Sequence, residues 1–148
     1  MKAKHNHKDC QLRIKEKIDK ICEQKNLNLT PIRKRVLEII AASHKALKAY
    51  DILSKLKEEG FSDKPPTVYR ALDFLIEQKA IYKLSKVNAY AASFNEKSQD
   101  FTCFLICDKC LSAEECYDVA LLEAVRKLAE KRKIKNLEVE LEFRCANC

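Results

Sequence analysis

Glycine is almost missing from this chain: Gly60 stands alone among 148 residues. A dinucleotide fingerprint or a phosphate-cradling P-loop needs two or three glycines close together, so nucleotide chemistry of those kinds is excluded. Tryptophan is absent, and proline occurs three times. No apolar run approaches the roughly 18 residues that span a membrane as a helix. The start, Met1 to Cys10, is charged and has no apolar stretch of the secretory kind. A reducing cytoplasm is the expected setting, and disulfides are disfavoured there. With 34% charged and 47% apolar residues, the composition is neither disordered nor fibrous. The length suits one ordinary domain or two small ones.

What is present is unevenly placed. The formal charge is +7, from 29 Lys and Arg against 22 Asp and Glu. Residues 1–83 hold 19 of the basic and 11 of the acidic residues, whereas residues 84–148 hold 10 and 11. All the excess positive charge therefore lies in the first part, as in a polyanion-binding module joined to a neutral one. A lysine-rich solvated face has the same composition. Six of the eight cysteines lie after residue 100, and in a reducing compartment they point to metal ligation or redox chemistry. Two modules follow, with a division expected at 1–84 and 85–148.

The first module carries four helical patterns between residues 8 and 79. Ile14, Ile18, Ile21 and Cys22 share a face. Thr30-Pro31 supplies a capping residue and a first-turn proline ahead of Ile32, Val36, Ile39 and Ile40. A third helix is expected from about Ala49 to Glu59, closed by Gly60. Pro65-Pro66-Thr67 introduces a fourth, whose apolar face is Val68, Ala71, Leu72, Leu75 and Ile76. That face leaves Thr67, Tyr69, Arg70 and Asp73 projecting outward. Two short alternating runs, Ala80–Ser85 and Asn88–Ser93, complete the layout of a winged helix-turn-helix. Such a fold sets the start of its recognition helix in the DNA major groove. Arginine can pair twice with guanine, and a tyrosine ring can lie on a thymine methyl. Arg33, Lys34, Lys15 and Lys64 are candidates for phosphate contacts. A plain helical bundle with solvated lysines fits the same periodicity.

In the second module, Cys107-x-x-Cys110 and Cys145-x-x-Cys148 are separated by 34 residues. Each such turn presents two thiolates at the edge of a tetrahedral zinc site, and two turns complete it. Asp118 can cap a helix bearing Leu121, Leu122, Val125 and Leu128 inward, and Leu137, Val139, Leu141 and Phe143 alternate with glutamates up to the second knuckle. The expected order is strand, knuckle, strand, helix, strand, knuckle: an α+β unit cross-linked by one structural zinc per chain. A thioredoxin-like redox pair would instead open a helix in a βαβ pattern. Cys10, Cys22, Cys103 and Cys116 are left over, and single cysteines commonly act as small buried hydrophobes.

Leu29-Thr30-Pro31-x-Arg33, Ala49-Tyr50-Asp51-Ile52-Leu53, Pro66-Thr67-Val68-Tyr69-Arg70-Ala71-Leu72-Asp73-Phe74-Leu75 and the two knuckles together resemble the ferric uptake regulator (Fur) family. Lys64-Pro65-Pro66-Thr67, Phe104-Leu105-Ile106-Cys107-Asp108 and Glu114-Glu115-Cys116 look most like its zinc uptake regulator branch. The likeness covers about residues 10–148. It implies an α+β chain, with a winged-helix DNA-binding domain followed by a small α/β dimerisation domain holding a four-cysteine structural zinc. It also implies a homodimeric, cytoplasmic, metal-dependent repressor that binds a palindromic double-stranded DNA operator and controls metal-uptake genes. Neither an enzyme with a small-molecule substrate nor a membrane protein is implied. Tyr69 and Arg70 match the base-contacting pair, and Cys107, Cys110, Cys145 and Cys148 match the structural zinc ligands.

The departures fall on the regulatory metal. That branch holds a second zinc with two histidines, a cysteine and a glutamate, and the matching positions here are Tyr82, Ser93, Asp100 and Glu115. The three histidines all precede residue 45. Tyrosine and serine are poor zinc ligands, so a rebuilt site would draw on Cys103 or Cys116 with Asp100 and Glu115. His5, His7 and Cys10 form a second cluster in the N-terminal tail. Leu111 replaces the glycine that commonly follows the first knuckle. Two other readings stay open: a family repressor answering iron, peroxide or no metal, and a thiol-redox or metal-storage protein.

Overall fold

The computed structural model describes residues 7–62, 64–95 and 101–148, which divide into two units, Met1–Phe94 and Asn95–Cys148. The break falls after Phe94 rather than after residue 84, because the second strand of the hairpin pairs with the first.

The first unit is four helices and a hairpin. Helix α1 (His7–Lys25) drives Ile14, Ile18 and Cys22 into the core. Helix α2 (Pro31–Ala41) starts where Thr30 Oγ1 accepts the Arg33 amide at 3.4 Å, with Pro31 at the first helical position. Helices α3 (Ala49–Glu58) and α4 (Pro65–Glu77) follow. Strands β1 (Ile81–Leu84) and β2 (Ala89–Ala92) pair antiparallel. A third segment joins them: Leu47 exchanges main-chain hydrogen bonds with Tyr90 at 2.9 and 2.8 Å. Among the described residues, eleven of the twelve largest fully buried side chains belong to this unit, Ile106 being the exception. At about 1.5–3 kcal/mol for each buried large aliphatic side chain, the first unit has a substantial core of its own. Two lysines tie α1 down at its polar edge. Lys17 Nζ donates to the main-chain oxygens of Lys79 and Ser93, both at 2.9 Å, and Lys25 Nζ donates to Gln78 Oε1 at 2.9 Å.

The second unit contains β3 (Phe101–Cys107), β4 (Ala113–Glu115), α5 (Val119–Arg132) and β5 (Leu137–Phe143), with sheet order β4-β3-β5. Asp118 Oδ1 caps α5 by accepting the Leu121 amide at 2.8 Å. The helical crossover lets β5 return parallel to β3, in a register that sets Cys107 opposite Phe143. Both strands therefore end at a knuckle, and at the same end of the sheet. The core here is thin. Leu121, Leu122 and Val125 are half-buried, but Leu128, expected inward, is 50% exposed. Leu141 and Phe143 are also 37% and 41% exposed, and Ala129 is the residue of α5 that is fully buried. Three strands and one helix do not close over their own apolar residues.

The scarcity of glycine has a backbone consequence. Gly60 follows α3 at φ +79°, as a helix stop requires. Among the described residues, the other left-handed positions fall to Asn26, Lys79, Asn88, Leu111, Lys133 and Asn136. Asparagine tolerates this conformation, whereas a leucine at φ +60° is strained.

Candidate metal centre and nucleic-acid interface

The parallel register of β3 and β5 brings together two knuckles that 34 residues separate in the chain. Cys107, Cys110, Cys145 and Cys148 place their Sγ atoms within 4.8 Å of one another. Cys107 and Cys148 lie 3.7 Å apart, Cys110 and Cys145 3.8 Å, and Cys145 and Cys148 3.0 Å. Zinc–sulfur bonds of about 2.3 Å give a tetrahedron with an edge of about 3.8 Å, so this donor set fits zinc. Main-chain amides of Cys110, Cys145 and Lys109 pull the Cys107 thiol down to about 6. Hydrogen bonding to the Cys145 thiol above all pushes the Cys148 thiol up to about 12. Thiolates this close repel one another, and a cation bound among them would offset that repulsion. Leu111 completes the first knuckle: its amide donates to the Cys107 carbonyl at 3.1 Å, and the Cys107 amide to the Ser112 carbonyl at 2.8 Å.

The remaining cysteines behave differently. Phe104 pairs with Glu115, which sets Cys103 opposite Cys116, and the Cys116 amide donates to the Cys103 carbonyl at 2.8 Å. Residues directly opposite share a face of the sheet, so both thiols lie on one face and Glu115 on the other. Both are buried, and burial first, then the neighbouring Cys116 thiol, pushes Cys103 up to about 11. Glu115 accepts a 2.6 Å hydrogen bond from the Tyr117 hydroxyl instead. The rebuilt set of Cys103 or Cys116 with Glu115 is thus not assembled, because strand alternation divides it. Asp100, His5 and the His7 side chain lie outside the described residues. Cys10 sits on α1, half-buried. Tyr82 is half-buried on β1, and Ser93 is 2% exposed, its carbonyl held by Lys17.

The first turns of α4 match the expected pattern of exposure. Val68, Ala71, Leu72, Phe74 and Leu75 are buried, while Tyr69 (50%), Arg70 and Asp73 face solvent and Thr67 is half-buried. Lys15, on α1, and Lys64, at the α4 N-cap, are exposed. Arg33 is occupied. Its Nη1 donates to the Asn28 carbonyl at 2.6 Å, and its guanidinium lies 3.8 Å from the centre of the Phe74 ring. It braces the start of α2 against α4 and is only half-exposed. Phe74, not expected on the apolar face, is buried beneath that guanidinium. Tyr50 was missed as a surface group. It is 76% exposed and shares with Ala49, Leu53, Pro65, Val68 and Tyr69 a cavity of about 160 Å³ at the joint starts of α3 and α4. Its place beside the inward Ile52 and Leu53 was the available signal.

The pattern of the ferric uptake regulator family matches residues 24–144. The chain belongs to that family. It is 37% identical over 134 residues to the zinc uptake regulation protein of Escherichia coli K12, covering 88% of this chain and 78% of that one. Holo XcZur superposes with a TM-score of 0.73 at 37% identity, over 93% of this chain and 97% of the other. A zinc uptake regulator solved with zinc and DNA superposes with a TM-score of 0.76 at 32% identity, over 98% and 96%. Among the described residues no helix is long and apolar enough to cross a membrane.

Proposed function

We propose that this protein is a metal-dependent, DNA-binding transcriptional repressor of the zinc uptake regulator type, acting in the cytoplasm as a homodimer on two-fold symmetric operators that control metal uptake. The observation that carries this reading is the exposed Tyr69–Arg70 pair at the start of a helix buried along its other side, in the half of the chain that holds all the excess positive charge. Arg70 reads guanine with two hydrogen bonds, and the Tyr69 ring reads a thymine methyl. Lys15, Lys64 and the Thr67 hydroxyl supply phosphate contacts that set register, and Tyr50 extends that surface. Arg33 contributes by holding α2 on α4 rather than by touching DNA.

Zinc, when bound, would cross-link the two knuckles through four thiolates. The chain's own residues prepare that site: the parallel register converges the knuckles, and the amides around Cys107 favour its thiolate. Pairing with a second copy is supported by where apolar surface lies. Six of the nine exposed large apolar side chains among the described residues (Tyr117, Val119, Leu128, Ile134, Leu141 and Phe143) fall in the smaller unit. A dimer would cover residues that one copy leaves wet.

Binding of the purified zinc protein to a palindromic duplex and to random DNA, at fixed salt and with or without chelator, tests the reading. Preference for the palindrome, lost on chelation and falling steeply with salt, is expected. Equal binding to both duplexes would sink the proposal.

A second reading concerns the signal, and Lys17 motivates it. Where the branch places a regulatory ligand, this chain has Ser93, and the Lys17 ammonium donates to its carbonyl at 2.9 Å and lies 3.5 Å from its hydroxyl. A fixed positive charge there opposes a divalent cation. On this reading DNA affinity is indifferent to zinc beyond the one equivalent in the four-cysteine site. An affinity that climbs as a second equivalent is added would reject it.

A further inference from the structure

We propose that Asp108, Lys109 and Arg144 form a latch across the two knuckles that sets the lifetime of the zinc in the four-cysteine site. The inference rests on the zinc reading of the four thiols and is independent of the DNA reading. Asp108 and Lys109 are the two spacer residues of the first knuckle, and Arg144 immediately precedes the second. Arg144 Nη2 donates to Asp108 Oδ2 at 2.6 Å and its Nε to Oδ1 at 3.2 Å, a two-pronged pair. Lys109 Nζ donates to the main-chain oxygen of Cys148 at 2.8 Å, and the Asp108 amide donates to the Phe143 carbonyl at 3.0 Å. Every tie runs from one knuckle to the segment carrying the other.

Two physical effects follow. Zinc held by four thiolates carries a net charge of about −2, and Arg144 and Lys109, with the Asp108 carboxylate between them, bring a net charge of about +1 to its rim. The second effect is mechanical. Cys107 is buried, whereas Cys145 is half-exposed and Cys148 exposed, so zinc leaves most easily when the second knuckle peels away. The latch fastens that knuckle to the buried one. An exposed ion pair adds little to equilibrium stability, and this one has 65% and 37% of its side chains exposed. Its leverage comes from position, because each partner is adjacent in sequence to a ligand. Groups that orient metal ligands typically change metal affinity about 10–100-fold when removed. The exposed setting here places the expectation at the lower end.

The test is zinc transfer from the loaded full-length protein to a colorimetric chelator. It compares wild type, Arg144→Ala, the near-isosteric Asp108→Asn, their combination, and Lys109→Met. Release about tenfold faster from each single variant is expected, with the double variant no faster than the singles because both break one pair. About 1 M salt should narrow the gap to wild type. Cobalt-loaded protein reports the ligand set separately, and an unchanged four-sulfur spectrum in Asp108→Asn shows that the site still forms. Single variants within about twofold of wild type, or strictly multiplicative singles, would overturn the latch. Failure of wild type itself to retain zinc would instead overturn the metal reading.

Discussion

Leu111 offers a direct test of whether the first knuckle carries backbone strain. It sits at φ +60°, half-buried, directly after Cys110. The left-handed region places Cβ against the following carbonyl, at about 1–2 kcal/mol for an L-residue. Replacing leucine by glycine removes the strain, but it also removes a half-buried side chain and adds freedom to the unfolded chain. A single variant therefore mixes three effects. The pair Leu111→Ala and Leu111→Gly separates them, because both lose the side chain and only alanine keeps Cβ. At an ordinary φ, alanine is the more stable of the two by about 0.5–1 kcal/mol. Here relief of about 1–2 kcal/mol opposes that loss, so glycine should be the more stable by about 0.5–1 kcal/mol. In a unit as small as residues 95–148, that difference corresponds to a few degrees in midpoint. The assay is urea unfolding of the cobalt-loaded full chain, followed by the sulfur-to-cobalt absorption that reports this unit. Alanine equal to or better than glycine would refute the argument and show that the turn carries no strain.

Three further outcomes are expected. Ile18→Ala, at a fully buried position on α1, should lower the stability of the first unit by about 2–5 kcal/mol in urea unfolding; a loss below about 1 kcal/mol would show that α1 is not part of that core. Arg70→Ala should weaken operator binding by about 1–3 kcal/mol and erase preference at one base pair per half-site, whereas uniform weakening across all sequences would reassign Arg70 to a phosphate. The third concerns pH. Arg35, held by Glu59 and Glu38, keeps the Glu59 carboxyl below its ordinary value of 4.5. A lowered folded value stabilises above the unfolded one, and the contribution is lost as pH falls through the folded value. The extra exchange protection of α3 amides in wild type over Arg35→Gln should therefore be present at about pH 6 and shrink as the pH falls below the ordinary carboxylate value of 4.5. A gap that persists in acid would contradict the assignment.

The parts legible in the sequence are those with a strong local code. Thr30-Pro31 and Asp118 announced helix starts because a side-chain oxygen three residues before an amide has one obvious use, and both bonds form. The outward set at the start of α4 was legible because apolar positions at helical spacing leave Tyr69, Arg70 and Asp73 exposed, although Phe74 is buried beside them. Arg33 was not. Its type suits a phosphate, and what occupies it, the Asn28 carbonyl and the Phe74 ring, is a tertiary contact that spacing does not encode. Leu128 failed for the opposite reason. Periodicity marks an apolar face but does not say whether one copy of the chain supplies the surface to cover it.

The cysteines show where such reading reaches its limit. Two knuckles separated by 34 residues announce four ligands wherever the intervening chain returns to its start, and the β3–β5 register brings it back. The alternative set of Cys103, Cys116 and Glu115 holds equally good donors within a shorter stretch, yet it does not converge. The difference is one of parity. Strand alternation puts Cys103 and Cys116 on one face and Glu115 on the other, and a shift of one residue in the β3–β4 pairing would have exchanged their roles. Donor chemistry and sequence distance are thus poor guides to a metal site within a sheet, where register decides. At the ends of two parallel strands the constraint relaxes, because a knuckle turns freely past the last pair and its thiols need only reach a common point. That is why the four-cysteine cluster forms at the sheet's end, and why the residues that fasten it, Asp108 and Arg144, lie beyond the last paired positions.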